Sequence, residues 1–145
     1  MIKNFPLILF LFLLLSMSCK KSGDTGTNPL LEQYFEANVL NRNFTVSHAD
    51  DNGTDLTTNY SGYVFVLLKT DFYHGALQAT KNGTIYTGSW SSNNDYSKLV
   101  ITLSTPPSEF DFLSREWRFT SKNFPTLKLA PWGSSNALVL YMLRQ

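Results

Sequence analysis

The sequence has few of the side chains from which metal and redox sites are built. Its 145 residues include one cysteine and two histidines, His48 and His74. A single cysteine excludes a disulfide framework and a multi-cysteine metal site. His48 could pair with Asp50, but the end of a polar strand explains it better. The acidic run 50–55 fails the EF-hand register, since Asn59 stands where a glutamate belongs. We expect no metal and no cofactor, with weak calcium affinity of the acidic run as the alternative.

An excess of charge of one sign is also missing. Charged residues make up 16% of the chain, with 12 lysines and arginines against 11 aspartates and glutamates. Loss of an N-terminal signal containing Lys3 would leave 11 of each sign. Proteins that bind nucleic acid carry basic patches, so we expect no nucleic-acid partner.

Motifs for nucleophilic or acid–base catalysis are absent from the sequence. There is no Gly-x-Ser-x-Gly motif. Glu109 and Asp111 are two residues apart and do not share a face of a helical turn. Glu116 stands beside Arg115 and Arg118, and this spacing predicts a surface ion pair. We predict that the protein is not an enzyme, and a hydrolase with an unrecognised site is the weakest alternative.

The longest apolar run is too short to cross a membrane. It extends over Phe5–Leu15 and is interrupted by Pro6. Eleven helical residues span roughly 16 Å, about half of a bilayer core. With Lys3 before it, the run is typical of an export signal. We place this signal at residues 1–18, directly before Cys19.

The residues around the cysteine resemble a bacterial lipobox of the kind found in Bacteroidota, on the sequence Leu15-Ser16-Met17-Ser18-Cys19. The resemblance implies cleavage before Cys19, attachment of diacylglycerol to its thiol and acylation of the new N-terminus, and several acyl chains hold a protein firmly at a membrane. The alternative is an ordinary secretory signal with an incidental cysteine. Residues 19–28 are predicted to be a flexible tether, since residues 20–28 include no apolar side chain. Lys20 and Lys21 after the cysteine favour the periplasmic face of the outer membrane.

The pattern from residue 29 to the end predicts one helix followed by strands. Asn28 and Pro29 suit a helix start, and Leu31, Phe35 and Val39 recur at helical spacing, which predicts a helix over about 29–40. Alternating residues then predict eight strands near 44–47, 60–69, 73–80, 86–90, 98–103, 115–120, 127–129 and 138–143. Asn82-Gly83 is the strongest hairpin signal. A single helical turn is predicted at 108–113, capped by the Ser108 side chain.

Short connections between consecutive strands exclude a parallel βαβ sheet. Eight antiparallel strands in this length fit an up-and-down barrel or a sandwich. The barrel is favoured because the hairpins are sequential and closure removes the sheet edges. We therefore predict an all-β fold, a single eight-stranded barrel domain over residues 29–145 with a short N-terminal helix.

The order of these patterns resembles that of small lipocalin-like lipoproteins of Bacteroidota, most of them without assigned activity. The resemblance covers about residues 30–145 and is carried by Tyr60-Ser-Gly-Tyr63, Thr87-Gly-Ser-Trp90, Ser104-Thr-Pro-Pro107, Arg115-Glu-Trp117 and Leu127-Lys-Leu129. It implies a lipocalin-like barrel and carries over no binding residues.

Aromatic residues give the best indication of function. Tyr86 and Trp90 share one strand face, and so do Trp117 and Phe119. Inward residues of an eight-stranded barrel either fill the interior or line a pocket for one small ligand. Both alternatives remain open for these four residues. Trp132, in a Pro/Gly turn, either plugs one end or is an exposed contact for a partner.

The leading functional hypothesis is a membrane-anchored, non-catalytic lipoprotein that binds a small apolar or amphipathic ligand inside the barrel. Tyr86, Trp90, Trp117 and Phe119 would line the pocket. The rival hypothesis is a solid-core interaction module, an envelope accessory subunit or inhibitor. It would contact a protein partner of the envelope through loops 49–59 and 131–136.

Cys19→Ser should remove the acyl chains and shift the protein out of the membrane fraction. Mass spectrometry of the N-terminal peptide, together with fractionation, checks this. As a control, Ser22→Cys added to Cys19→Ser restores a thiol outside the lipobox and should not restore lipidation. Unchanged fractionation and mass in Cys19→Ser would contradict lipid anchoring.

Overall fold

The described part of the chain, residues 28–145 of a computed structural model, forms two helices, a 3₁₀ turn and nine strands. The elements are α1 (Pro29–Asn38), β1 (Asn43–Asp51), β2 (Thr54–Asp55), a 3₁₀ turn (Thr57–Tyr60), β3 (Val64–Leu67), β4 (His74–Lys81), β5 (Thr84–Ser92), β6 (Lys98–Leu103), α2 (Phe110–Leu113), β7 (Glu116–Ser121), β8 (Thr126–Pro131) and β9 (Leu138–Arg144). The predicted signal, Cys19 and the tether up to residue 27 lie outside these residues. Within residues 28–145, no helix combines the length and apolar character required to cross a membrane.

The strands form a closed antiparallel barrel. Each strand from β3 to β8 pairs with the next along the chain, and β1 pairs with both β3 and β9. The closing pair runs from Phe44 opposite Arg144 to Asp51 opposite Leu138, with a register shift between Val46 and His48. This confirms the predicted eight-stranded up-and-down barrel, to which the two-residue β2 adds a short edge.

The interior of the barrel is filled by side chains from alternate strand positions. Phe44, Phe65, Leu77, Trp90, Leu99, Trp117, Leu129 and Leu140 are buried there. An eight-stranded barrel is just wide enough for such residues to fill it. The centre is therefore a packed core.

The helix α1 closes one end of this core. Asn28 accepts a hydrogen bond from Leu31 N, and Pro29 occupies the first turn, as the sequence predicted. The Phe35 ring enters the barrel and stacks on Tyr96 at a centroid distance of 4.4 Å. Around it, Lys69 Nζ lies 2.5 Å from Glu36 Oε1. The helix thus buries an aromatic side chain in the core and forms an ion pair at its edge.

The α2 segment closes the opposite end. Phe110, Phe112 and Leu113 are buried there. Phe110 packs against Tyr63 and Tyr86, each at 5.3 Å between centroids. The predicted Ser108 cap is wrong, because no side chain caps α2 and Ser108 contributes only its backbone carbonyl, to Asp111 N. Burial of apolar side chains holds this four-residue helix in place.

Gly75 makes room for the indole of Trp90. The two residues are opposite each other on β4 and β5. Trp90 Nε1 donates a hydrogen bond to Leu68 O at 2.8 Å. A Cβ at position 75 would lie 1.9 Å from Leu68 O and 2.8 Å from Trp90 Nε1. Any side chain at position 75 would therefore clash, and only glycine lets the Trp90 indole pack over β4.

The acidic run 50–55, which the sequence placed in a loop over residues 49–59, forms a hairpin, so the loop prediction is wrong there. Asp50 and Asp51 belong to β1 and pair with Asp55 and Thr54 of β2. Asn52 and Gly53 form the turn, with φ of 51° and 89°. Both residues adopt the positive φ that a type I′ hairpin requires and that Asn-Gly tolerates. The same signal correctly predicted the β4–β5 hairpin at Asn82-Gly83.

Trp90→Ala should lower the free energy of unfolding by about 3–5 kcal/mol, because Trp90 is 1% exposed and removal of its ring leaves a cavity. Trp132→Ala is the matched control: Trp132 is 38% exposed, so its loss should be below about 1 kcal/mol. Urea denaturation of both variants measures the difference. Equal effects would contradict the assignment of Trp90 to the packed core.

Candidate functional site

The four aromatic residues predicted to line a pocket all face the barrel interior. Two of them contact α1 at one end, and the other two contact the α2 segment at the other end. Trp90 and Phe119 lie near Phe35 of α1, with centroids 5.9 and 6.1 Å from its ring. Tyr86 contacts Phe110 of the α2 segment. Trp117 is 0% exposed and donates its indole N–H to Leu113 O at 2.9 Å. These residues are packed against core side chains, and their role in ligand binding stays a prediction.

Trp132 lies on the outer surface. Its side chain is 38% exposed, and Lys98 Nζ is 5.3 Å from the ring centroid. Its backbone N donates to Glu116 O at 2.9 Å. Of the two alternatives considered, the exposed position is the one found, and its role as an interaction contact stays a prediction.

Neither histidine belongs to a described cluster of side chains that could bind a metal ion. His74 Nδ1 lies 2.8 Å from Asp71 Oδ2 on the exterior. The ring of His48 lies 5.3 Å from that of Tyr141. Across residues 28–145, no group of three or more histidine, cysteine, aspartate or glutamate side chains is placed to hold a metal ion.

A cleft of about 530 Å³ opens at the α2 end of the barrel. It lies between the end of β1 with the 56–60 segment on one side and the α2 segment on the other. Its lining residues are Asp51, Leu56, Asn59, Tyr60, Ser108, Glu109, Asp111, Phe112 and Arg115. None of the aromatic residues singled out from the sequence is among them.

Two tyrosines hold the α2 wall of the cleft through Glu109. Tyr60 OH donates to the Glu109 carbonyl at 2.7 Å, and Tyr63 OH donates to its Oε1 at 2.9 Å. Burial raises the pKa of Tyr60, and the charge of Glu109 raises it further. Burial and the hydrogen bond to Glu109 raise the pKa of Tyr63. Both hydroxyls therefore remain protonated and donate to Glu109.

Arg115 is the least satisfied polar side chain at this end. Its guanidinium carbon lies 5.0 Å from the Phe112 centroid and 5.5 Å from that of Trp117. Its Nη2 donates a long hydrogen bond, 3.4 Å, to Asp111 O. Its Nε is buried and finds no hydrogen-bond partner among residues 28–145. Since a buried, unpaired donor costs about 1–3 kcal/mol, this arginine is poorly explained by stability alone.

The ion pair predicted from Arg115, Glu116 and Arg118 is wrong. Glu116 instead pairs with Lys98 across the sheet at 2.7 Å. The ion pairs described within residues 28–145 are Lys98–Glu116, Lys69–Glu36 and His74–Asp71, and none includes Arg115. The alternation of apolar and polar residues correctly predicted that Glu116 faces outward. Its ion-pair partner, however, lies on the neighbouring strand β6.

The comparisons with known proteins give one distant similarity. No family model and no curated protein matches the sequence. The NMR structure of a protein from Burkholderia xenovorans resembles the chain with a TM-score of 0.49 and 15% identity, over 82% of this chain and 89% of that one. A similarity this distant carries no information on function.

Arg115→Met should leave the free energy of unfolding unchanged or raise it by about 1 kcal/mol. Methionine keeps an unbranched apolar stem against the two rings and removes the unsatisfied Nε. Arg118→Met, at an exposed position of β7, is the control and should stay within about 0.5 kcal/mol of wild type. Thermal and urea unfolding measure both. A loss above about 2 kcal/mol in Arg115→Met alone would show that Arg115 is structural.

Proposed function

We propose that the protein is a lipid-anchored, non-catalytic binding protein of the bacterial envelope, held at the periplasmic face of the outer membrane. In this proposal the barrel is a rigid scaffold, and the cleft at the α2 end binds a small amphipathic molecule. The observation that carries it is the cleft itself, about 530 Å³ and lined by both apolar and charged side chains. Sites for small molecules have volumes of about 300–1,000 Å³.

The packed interior argues for the cleft as the binding site in place of the barrel centre. Trp90 and Trp117 are fully buried, and their indole N–H groups are bonded to protein carbonyls. Phe35 of α1 packs against Trp90, and Phe112 of α2 packs against Trp117. A ligand in the centre would have to displace these rings, whereas a ligand in the cleft displaces water.

The position of the cleft suits an anchored protein. Nine residues separate the proposed lipidation site, Cys19, from the first residue of α1, Pro29. Fully extended, they would reach roughly 30 Å. The helix α1 covers one end of the barrel and α2 the other, so the cleft lies at the end opposite the one that α1 covers. An anchor at Cys19 would leave the cleft facing the periplasm.

Binding without reaction fits the side chains at the cleft. Its nine described lining residues contain no histidine and no cysteine. Its tyrosine, Tyr60, is hydrogen-bonded to Glu109 and has a raised pKa, so it is a poor nucleophile. The cleft therefore offers recognition groups for a ligand.

Trp132 supports a second candidate function, a protein-interaction module that presents its loops. An exposed tryptophan beside Lys98 is the kind of anchor that protein interfaces favour. In this alternative, segments 49–59 and 131–136 contact an envelope protein and the cleft is secondary.

Native mass spectrometry of the membrane-purified protein in mild detergent tests the leading proposal. We expect a non-covalent adduct of constant mass that is lost in Ser108→Trp, which fills the cleft. The control is Ser104→Trp, at an exposed residue that does not line the cleft. An adduct retained equally in both variants would place the ligand elsewhere. Wild-type protein without an adduct would favour the interaction module.

A further inference from the structure

The cleft carries charge of both signs. Arg115 supplies a guanidinium group that belongs to no ion pair described in residues 28–145. Asp51, Glu109 and Asp111 supply three carboxylates. Of these, Glu109 accepts a hydrogen bond from the Tyr63 hydroxyl, and Asp51 Oδ1 accepts one from Asn52 Nδ2 at 2.7 Å. Asp111 and the second carboxylate oxygen of Asp51 are therefore the acidic groups left to face a ligand.

This balance of charges selects among ligand classes. A simple anion would pair with Arg115 but would be repelled by the carboxylates around it. A simple cation would be attracted by the carboxylates but would leave the guanidinium without a partner. A molecule with both a carboxylate and an ammonium group satisfies both sets. Arginine is suited to the carboxylate, because its fork of N–H groups matches the two oxygens.

The guanidinium is held ready for such a contact. It lies over the rings of Phe112 and Trp117, which restrict its orientation. Its buried Nε cannot reach the ligand, and its long bond to Asp111 O uses little of the capacity of the terminal nitrogens. These terminal nitrogens are therefore the donors available in the cleft.

Apolar side chains line the same space. Leu56 comes from the segment after β2 and Phe112 from α2. They provide a surface for an apolar group, while Asn59 and Ser108 add neutral polar contacts. The ligand that fits this combination has two opposite charges at one end and an apolar group at the other.

We propose that the cleft binds a zwitterionic molecule of the α-amino acid type with an apolar side chain. Its carboxylate pairs with Arg115, its ammonium group with Asp111 and Asp51, and its side chain packs on Leu56 and Phe112. This inference rests on the proposed function, that the cleft is the binding site, and adds the chemical class of the ligand.

Three matched probes test the proposal on the full-length protein in lipid nanodiscs. L-phenylalanine carries both charges, N-acetyl-L-phenylalanine lacks the ammonium charge, and L-phenylalaninamide lacks the carboxylate. Isothermal titration calorimetry measures affinity, and hydrogen exchange locates the ligand. We expect L-phenylalanine to bind and to protect segments 51–60 and 108–115. Each blocked analogue should bind about ten- to a hundredfold more weakly, as expected for a lost charge-assisted contact.

Variants assign the two charges to residues. In Arg115→Gln, L-phenylalanine and its amide should bind equally, because the carboxylate has lost its partner. In Asp111→Asn, the difference between L-phenylalanine and its N-acetyl form should shrink. Arg118→Gln, three residues further along the chain on β7 and not among the cleft-lining residues, should leave all three affinities unchanged. The comparison of the three probes needs only wild-type protein. The proposal can therefore still be tested if a variant is unstable.

Three results would overturn the inference. These are equal binding of L-phenylalanine and its amide by wild type, protection outside the two segments, and no heat from any probe up to about 10 mM. A retained adduct that depends on the cleft in native mass spectrometry would then leave the proposed function standing with a ligand of another charge type. If neither calorimetric heat nor a cleft-dependent adduct is observed, both this inference and the proposed function are rejected.

Discussion

The pairing of β1 with β9 is the constraint on which the rest of the structure depends. It converts a meander with two exposed edges into a wall without long free edges, in which backbone groups find partners in neighbouring strands. A closed wall of eight strands surrounds an interior of limited width. That interior must be filled by side chains, and both of its ends must be covered. The large aromatic residues and the two helices follow from these requirements.

The two ends meet this requirement in different ways. At the α1 end, a ten-residue helix inserts Phe35 and is tied down by polar contacts at its rim. Glu32 accepts a hydrogen bond from the Tyr73 hydroxyl and, with burial, raises the pKa of Tyr73 to about 12. Asn38 accepts a hydrogen bond from Arg144 Nη1 at 3.1 Å, which joins the helix to the last strand. This end is built for stability.

The α2 end is less well satisfied. A four-residue helix without a side-chain cap covers it, and a cleft remains beside it. Arg115 keeps a buried nitrogen without a partner in the same place. Natural proteins depart from local stability rules mainly where function requires it. The concentration of such departures at one end supports the view that recognition takes place there.

Much of the fold could be predicted because each strand has to place apolar residues on one face. The period of two located the eight long strands, and the Asn-Gly turn at residues 82–83 set one hairpin. The β2 hairpin was missed because its strands are polar, although the same Asn-Gly signal stands at residues 52–53. Polar side chains indicate that a segment is exposed to solvent. An exposed segment can still form a strand, because strand pairing uses backbone hydrogen bonds.

The sequence by itself determined the strand pattern, the all-β class and the candidate lipidation motif at Cys19, since these depend on local spacing or on short motifs. Only the tertiary structure decided which side chains the inward aromatic residues contact, because Phe35 and Phe110 arrive from distant segments. It also decided that Glu116 pairs with Lys98 and that no ion pair described within residues 28–145 includes Arg115. The cleft joins residues 51–60 to residues 108–115, and no local pattern can show which distant segments the closure of a barrel brings together.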